Sequence, residues 1–483
     1  MKICMIAEGC YPYVVGGISS WMQSLIKAFP QNEYVLLTII SNRELSGKFV
    51  YELPENVTGV YEVYLNDVEW DGENGRQRRR KRLPEKDYMA LRSLILNLRV
   101  DWDTIFDLFA GKRISVNDLL MGPDFLKICT ELYEKSYSEI VFSDFLWTMR
   151  SIYLPLVLAL ESDLPQADCY HCIATGYSGV LGSMAAHIYG GGLILSEHGL
   201  YTREREEELI KAKWVQNTYK DIWIDQFRKM SQLVYDRADV VTSLFGHARE
   251  LQIELGCPPE KAFVTPNGVD ISRFADIPGK REEDEHYINM AAVLRITAIK
   301  DVKTLIQAFA FAKEQVPELK LWIMGPESED TVYAAECHAL VSSLHLSDVV
   351  FTGRVNVTEY LGRMDFTVLT SISEGQPLTV LEGFAAHLPA ITTDVGCCRE
   401  LLYGGRGDDL GTAGILCHIM NIGEIANAMV ELATHPKERE QYGETGYRRV
   451  TQYYRAEQLY ERYGIIYDFV EKKMKRTRAK KEK

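Results

Sequence analysis

No stretch of this chain is apolar for long enough to cross a bilayer as a helix. The longest apolar run, Ile152 to Leu160, falls well short of the ~18 residues required and contains Pro155. Basic charge is also scarce. Across 483 residues, 54 Lys and Arg stand against 68 Asp and Glu, a formal net charge of −14, which excludes non-specific nucleic-acid binding through the whole surface. Ten cysteines are too few and too scattered for a disulfide framework, and Cys4, Cys169 and Cys172 lie in apolar strand-like runs, as reduced core cysteines do. Cys169-Tyr170-His171-Cys172 has CxxC spacing, but no second pair stands at zinc-site spacing and Cys397-Cys398 is equally isolated, so no metal or redox centre is expected. The glycines near the start lack the G-x-G-x-x-G spacing of a dinucleotide fold. The first residues, Lys2, then Ile3 to Ala7, then Glu8, suit a β-strand better than a signal peptide, and a cytoplasmic protein is expected.

What is present is an ordinary globular composition, 46% hydrophobic and 25% charged, in a chain too long for one core. Strand, glycine-rich loop and helix open it: Lys2 to Ala7, then Glu8 to Gly17, then a helix with Ser19 and Ser20 as candidate caps and Trp21, Leu25 and Phe29 on one face. The paired Gly16-Gly17 fits either a phosphate approach or a tight turn. Strands follow at Tyr34 to Ile40 and Val57 to Leu65. A helical insertion then spans 66–147, with Leu91, Leu94, Ile95 and Leu98 on one helix face. Alternation returns with a strand at Asp168 to Ile173, a helix at Tyr177 to Tyr189, and a strand at Gly192 to Ser196 that ends at Glu197-His198-Gly199. More strands are expected at Asp239 to Ser243 and Ala262 to Thr265, then a turn at Pro266 to Asp270 and a charged linker at Lys280 to His286. A second alternation has strands at Ile288 to Leu294, Lys320 to Met324, Val349 to Thr352, Phe366 to Leu369 and Ala390 to Thr393. A final amphipathic helix carries Leu459, Tyr463, Ile466 and Val470. Strands alternating with helices predict parallel sheets, with ligands beyond the strand C-terminal ends. The expected domains are 1–268, 269–455, and a terminal segment 456–483 that packs back on the first.

The candidate chemistry collects at those strand ends. Gly16-Gly17, His198, Arg295 with Lys300, Gly325, Gly353-Arg354 and Glu374 each follow a predicted strand. Arg295 and Lys300, on a loop opening a helix, suit a pyrophosphate: a planar fork and a point charge. Glu374 falls on a strand-to-helix loop, and Glu382, eight positions on, falls in the first turns of the next helix. The free N–H groups of that helix start offer an anion site between them.

Glu374 and Glu382 match the E-x7-E motif of family 4 retaining glycosyltransferases, which have the GT-B fold. Pro266 to Asp270, Arg295 with Lys300, Phe351-Thr352-Gly353, and Asp365 to Glu382 resemble that family in order and spacing. Glu8-Gly9 through Gly16-Gly17, Ser19 to Trp21, Ser196 to Gly199, and Tyr201 to Arg205 resemble the branch that serves synthesis of Pel exopolysaccharide. The resemblance implies an α/β protein of two facing Rossmann-like domains, with one cleft and the helical insertion in the first domain. It implies a UDP-sugar donor, a polysaccharide acceptor, retention of configuration, and no metal or other cofactor. Arg295 and Lys300 would hold the diphosphate and stabilise leaving-group charge. Glu382 would meet the ribose and Glu374 the sugar hydroxyls. Gly375, Gln376, Leu378 and Thr379 would present amides to sugar and phosphate, Gly16 and Gly17 would approach the diphosphate, and Arg354 would flank the uracil. His198 would stand near the reacting centre, with Glu197, Arg203 and Arg205 on the acceptor side.

One departure stands out: the family usually has Gly-Phe-Gly after the first Glu, where this chain has Gly375-Gln376-Pro377. A retaining glycosidase would need its two carboxylates ~5–5.5 Å apart across one bond, a poor match to two Glu that grip different parts of a nucleotide sugar. The remaining alternatives are a family 4 enzyme of another pathway or donor base, and a non-catalytic scaffold that binds nucleotide or glycan. Two basic clusters, Arg76 to Arg82 and Lys472 to Lys483, read first as solvated segments. Their alternative is contact with anionic lipid or with an acidic partner such as an inner-membrane export complex, which would make the protein peripheral at the cytoplasmic face.

Overall fold

The computed structural model describes residues 1–40, 43–66, 68, 70, 82–212 and 217–481. Arg76 to Lys81 of the first basic cluster and the last two residues of the tail lie outside the described residues. The chain divides into two compact units. One comprises 1–243, 249–263 and 464–483; the other comprises 244–248 and 264–463. No described helix is long and apolar enough to cross a membrane.

The first unit is built on a seven-stranded sheet of β1 (Lys2–Glu8), β2 (Glu33–Ile40), β3 (Val57–Tyr64), β4 (Cys169–Cys172), β5 (Gly192–Glu197), β6 (Val240–Ser243) and β7 (Ala262–Val264). Their order is β3-β2-β1-β4-β5-β6-β7, so the chain reverses direction across the sheet between β1 and β4. The pairings of β1 with β2 and β4, and of β4 with β5, are parallel. Near-continuous burial along β1, β2, β4 and β5 is what a sheet covered on both faces requires. Cys4, Cys169 and Cys172 are free, buried thiols on these strands, with pKa values pushed far up by burial.

Three local expectations are corrected here. The first helix is Gly17–Ala28 with Gly16 as its cap; Ser19 and Ser20 lie inside it, because the extended backbone at Gly16 already ends the preceding loop. The helix Glu85–Ile95 stops before Leu98, which is exposed, so only Leu91, Leu94 and Ile95 serve the core. The helical region runs on past residue 147. Its last helix, Phe142–Glu161, absorbs the apolar run around Pro155 and joins Phe145, Met149, Tyr153 and Leu156 to the core of this unit.

The second unit has six strands: β8 (Ile288–Val293), β9 (Leu319–Met324), β10 (Val349–Gly353), β11 (Phe366–Leu369), β12 (Ala390–Thr393) and β13 (Gly414–Cys417). Their order is β10-β9-β8-β11-β12-β13, and the register places Phe366 beside Met290. Side chains alternate between two cores. Met290, Ala292, Leu321, Ile323 and Val368 pack on one face, while Ala291, Trp322, Met324 and Leu369 pack on the other. That period of two along each strand is the reason for helices on both sides. The charged segment Lys280 to His286 is not a free linker. Asp284, 1% exposed, bonds Arg363 and accepts from Lys320 at 3.3 Å, so the segment is stitched into the second unit.

Candidate functional site

In the second unit the strand order reverses between β8 and β11, and the loops that leave these neighbours meet. A crevice opens at such a reversal because the two loops depart to opposite faces of the sheet. Ile372 donates its N–H to Ile299 O at 2.8 Å, and Thr370 Oγ1 donates to Lys300 O at 3.1 Å, which locks the two loops together. The result brings Lys300 Nζ to 2.5 Å from Glu374 Oε1, an ion pair with both side chains largely buried. Ser371 Oγ donates to the same oxygen at 2.5 Å, whereas Glu374 Oε2 makes no hydrogen bond to any described residue. Arg295, one position past Leu294, bonds Glu329 at 2.6 Å with both side chains nearly half exposed. An exposed pair of this kind is worth ~0–1 kcal/mol, so a diphosphate can outcompete it for the guanidinium. Between the two cations, Thr297 Oγ1 is buried with no partner among the described residues.

The Glu374 loop is shaped from below by Gly396. A Cβ there would lie 2.3 Å from Glu374 O and Gly375 O, and its φ is +53°, so only glycine admits the loop. Gly325 has the same role between β9 and β8: a Cβ would strike Leu294 O at 1.7 Å. Cys397 N–H holds Gly375 O at 3.0 Å. The helix Leu378–Ala385 then begins with Pro377 at its cap. Leu378 and Thr379 carry its first N–H groups, which no preceding turn can satisfy. Glu382, one turn further on, is half-buried, and its carboxylate has no hydrogen-bond partner among the described residues. Burial pushes its pKa up, and the Arg273 charge draws it back. Arg354 is exposed and follows Gly353, whose φ is +67°.

The side chain of Gln376, as distinct from its peptide amide, is turned into the protein. Its side chain is 7% exposed and its Oε1 accepts the Asn267 N–H at 2.7 Å. Ser371, Thr297, Asn267 and Arg273 were not singled out as site residues by the sequence. Asn267 and Ser371 lie within the stretches Pro266 to Asp270 and Asp365 to Glu382 that carry the family resemblance, and Thr297 lies between Arg295 and Lys300, whereas Arg273 had no such signal.

The first unit uses its strand ends differently. Glu8 accepts from Ser178 N at 3.2 Å and Tyr201 Oη at 3.1 Å, and its pKa is raised by burial against those bonds and the Arg205 charge. Glu197 is 4% exposed. Its carboxylate accepts from Tyr235 Oη at 2.8 Å, Gln252 Nε2 at 3.0 Å, Tyr201 N at 3.3 Å and Thr175 Oγ1 at 3.4 Å. Burial raises its pKa to about 7 in spite of those donors. What Glu197 positions is the start of the helix Tyr201–Lys211, which carries exposed Arg203, and Arg205 paired to Glu208 at 2.6 Å and stacked over Tyr201. His198 packs on Trp21 with ring centroids 4.4 Å apart, and its Nε2 is buried without a partner among the described residues. Burial lowers its pKa to about 4, so the imidazole is neutral at physiological pH. His171 is lowered to about 3, by burial and then by the charge of His198, and bonds Ser196 Oγ at 2.7 Å and Tyr467 Oη at 3.0 Å. A Cβ added at Gly16 or at Gly17 would meet no atom within 4 Å, so the space beside this helix start is open. Among the described residues no group of three or more His, Cys, Asp or Glu converges as metal ligands would.

Two parallel-sheet Rossmann-like units, the second with a cation–carboxylate cluster at its strand reversal, have the GT-B architecture found in glycosyltransferases. Residues 1–260 match the family described as a domain of unknown function, DUF3492, and the chain belongs to that family. Residues 287–435 match the family described as glycosyl transferases group 1. The chain is 25% identical over 291 residues to the putative glycosyltransferase EpsD of Bacillus subtilis, covering 59% of this chain and 72% of that protein. It is 28% identical over 200 residues to the N-acetyl-alpha-D-glucosaminyl L-malate synthase of Bacillus anthracis, covering 41% of this chain and 49%, about half, of that one. Among solved structures, Anabaena HepE in complex with UDP superposes with a TM-score of 0.61 at 14% identity, over 97% of this chain and 100% of that chain. At that identity the likeness establishes the fold.

Proposed function

We propose that this protein is a retaining glycosyltransferase of the PelF type, moving a hexose or N-acetylhexosamine from a UDP-sugar to a growing exopolysaccharide of biofilm-forming cells. The observation that carries the reading is the Lys300–Glu374 pair at the β8/β11 reversal, with Arg295 on the loop that leaves β8 and Glu382, a carboxylate with no protein partner among the described residues, on the helix that follows the Glu374 loop. HepE, a structural neighbour, was solved with UDP and with UDP-glucose, which supports the choice of base and donor class. In this reading Glu382 accepts from the ribose hydroxyls and the free oxygen of Glu374 accepts from the sugar. The amides of Gly375, Gln376, Leu378 and Thr379 face sugar and phosphate, Arg354 flanks the uracil, and Gly16 and Gly17 leave room for phosphate.

As the bond from the anomeric carbon to the diphosphate oxygen breaks, negative charge grows on UDP. Arg295 and Lys300 stabilise that charge, and no metal is assigned a part. The Lys300–Glu374 pair sets the ammonium in place beforehand, so little reorganisation is needed when the charge appears. Neutral His198 is suited to hydrogen-bond a sugar hydroxyl, while Arg203 and Arg205 serve the acceptor side on a helix that Glu197 anchors. The enzyme works in the cytoplasm, and the basic tail docks it to a membrane export complex.

The direct test is a thermal-shift screen against UDP-glucose, UDP-GlcNAc, UDP-GalNAc and their ADP and GDP counterparts, followed by transfer assays with the best binder. A ligand at 100 times its Kd stabilises the fold by about 2.7 kcal/mol, a clear upward shift. Stabilisation by UDP-sugars alone, followed by transfer with retained configuration, is expected. No shift with any UDP compound would remove the donor assignment. Deleting Lys472 to Lys483 should lower the fraction recovered with membranes from a producing cell, and an unchanged fraction refutes the docking.

A further inference from the structure

The last helix of the chain, Ala456–Lys481, has two unlike faces from residue 464 on, where it belongs to the first unit. One face is fastened down. Ile466, Tyr467, Val470 and Met474 are buried on it, and Tyr467 Oη bonds His171 Nδ1 at 3.0 Å. A Cβ added at Gly192, the first residue of β5, would lie 2.2 Å from the Val470 side chain, so this strand start admits the helix only as a glycine. Lys473 adds an ion pair to Asp239, just before β6, at 2.5 Å. The opposite face holds Ile465, Phe469, Lys472 and Arg476, whose spacing of four, three and four sets them in one stripe along the helix. Ile465 is 70% exposed and Phe469 51%. Lys472 and Arg476 are exposed and have no acidic partner among the described residues, whereas Lys475 beside them is engaged by Glu471 at 3.1 Å. The sequence extends the charge. Residues 465–483 hold eight Lys and Arg against Asp468, Glu471 and Glu482, in a chain whose net charge is −14.

A helix that lies flat in a bilayer interface needs apolar side chains on one stripe with cations beside them, because buried apolar area and attraction to anionic headgroups add. We infer that the stripe of Ile465, Phe469, Lys472 and Arg476 is a lipid-docking face: the two apolar side chains enter the boundary between headgroups and acyl chains of an anionic bilayer, and the two cations meet its phosphates. This rests on the membrane docking proposed above and deepens it, by placing lipid against the helix. The stripe itself presents only hydrocarbon and unpaired cations, with no hydroxyl, amide or carboxylate to be matched. That suits a bilayer surface better than a shaped protein groove, whose rim is lined with paired polar groups. The long stems of Lys472 and Arg476 keep their charges at phosphate level while Phe469, one turn away, goes deeper. Asp468, exposed on the flank of the stripe, opposes the approach, and the surrounding cations outweigh it. Each basic residue near an anionic surface strengthens binding about fivefold, within a Debye length of ~8 Å.

The test is co-sedimentation of the full-length protein with vesicles of phosphatidylcholine alone and with vesicles about a third phosphatidylglycerol. Wild type is compared with two double variants, Ile465→Ser with Phe469→Ser and Lys472→Glu with Arg476→Glu. All four side chains are exposed, so both variants should keep the wild-type melting temperature, which is the control for folding. Wild type is expected to bind the anionic vesicles and not the neutral ones, with binding that weakens as salt is added. Each double variant is expected to bind the anionic vesicles about tenfold or more weakly. If wild type binds neither vesicle, or if the apolar double variant binds the anionic vesicles as wild type does, the inference is overturned. No vesicle binding, together with recovery on cell membranes that is lost on deleting Lys472 to Lys483, assigns the tail to a protein partner: the docking reading stands and this inference fails. Unchanged recovery after that deletion removes the docking reading, and the inference with it.

Discussion

Both units carry carboxylates at or beyond the ends of their strands, and the two sets are used in opposite ways. In the first unit Glu8 and Glu197 are enclosed by hydroxyls, amides and backbone N–H groups of their own unit, and burial raises both pKa values. Glu8 knits β1 to the helices that follow β4 and β5, and Glu197 knits β5 to the helix that follows it. In the second unit Glu374 gives one oxygen to Lys300 and Ser371 and keeps the other free, and Glu382 has no bonded partner among the described residues. A strand end in a parallel sheet is a place where ligands can bind. Whether one does bind there depends on how many of the polar atoms the protein itself consumes.

The comparison can be broken most forcefully at Lys300. Lys300→Ala should lower transfer by about 10²–10³-fold, the scale of losing one preorganised contact to developing charge. It should also lower the melting temperature, because Glu374 is left buried and unpaired. Transfer within tenfold of wild type would argue against a role in leaving-group stabilisation. Next in size is Glu197→Ala, which strips four donors of their acceptor and should cost about 2–4 kcal/mol in unfolding free energy. The protein that remains folded should bind UDP as before; a Glu197 variant of full stability would show that the first unit does not depend on this carboxylate.

A smaller effect separates the units by pH. The folded-state pKa of Glu197, about 7, lies above the value of ~4.3 for a free Glu in an unfolded chain. Over that window the folded protein holds a proton that the unfolded chain has released, so the contribution of this group to stability falls as pH rises from about 4.3 to about 7. Glu197→Gln removes the titration. Its stability relative to wild type should therefore rise across the window in chemical denaturation, and a constant difference would contradict the raised pKa.

Much of the second unit was legible because its strands are short apolar runs, each closed by glycine or charge, as at Met324-Gly325 and Leu294-Arg295. β13 escaped: it is four residues, begins with Gly414, and follows a stretch rich in glycine and aspartate. The residue types of the site could be read from spacing, but its pairings could not. Lys300 and Glu374 are 74 positions apart, and Asn267 and Gln376 are 109 apart, so only the folded chain brings them together. Nor does spacing tell whether a strand-end carboxylate is spent, and Glu197 and Glu374 look alike until their donors are counted.

The central claim is that the second unit's open cluster holds the nucleotide of the donor. Calorimetric titration of UDP into wild type, Arg295→Ala and Glu382→Ala tests it without reference to acceptor or sugar. The account predicts about tenfold or greater loss of affinity in each variant, with melting temperatures close to wild type because neither side chain has a strong protein partner among the described residues. Unchanged UDP affinity in both variants would contradict it.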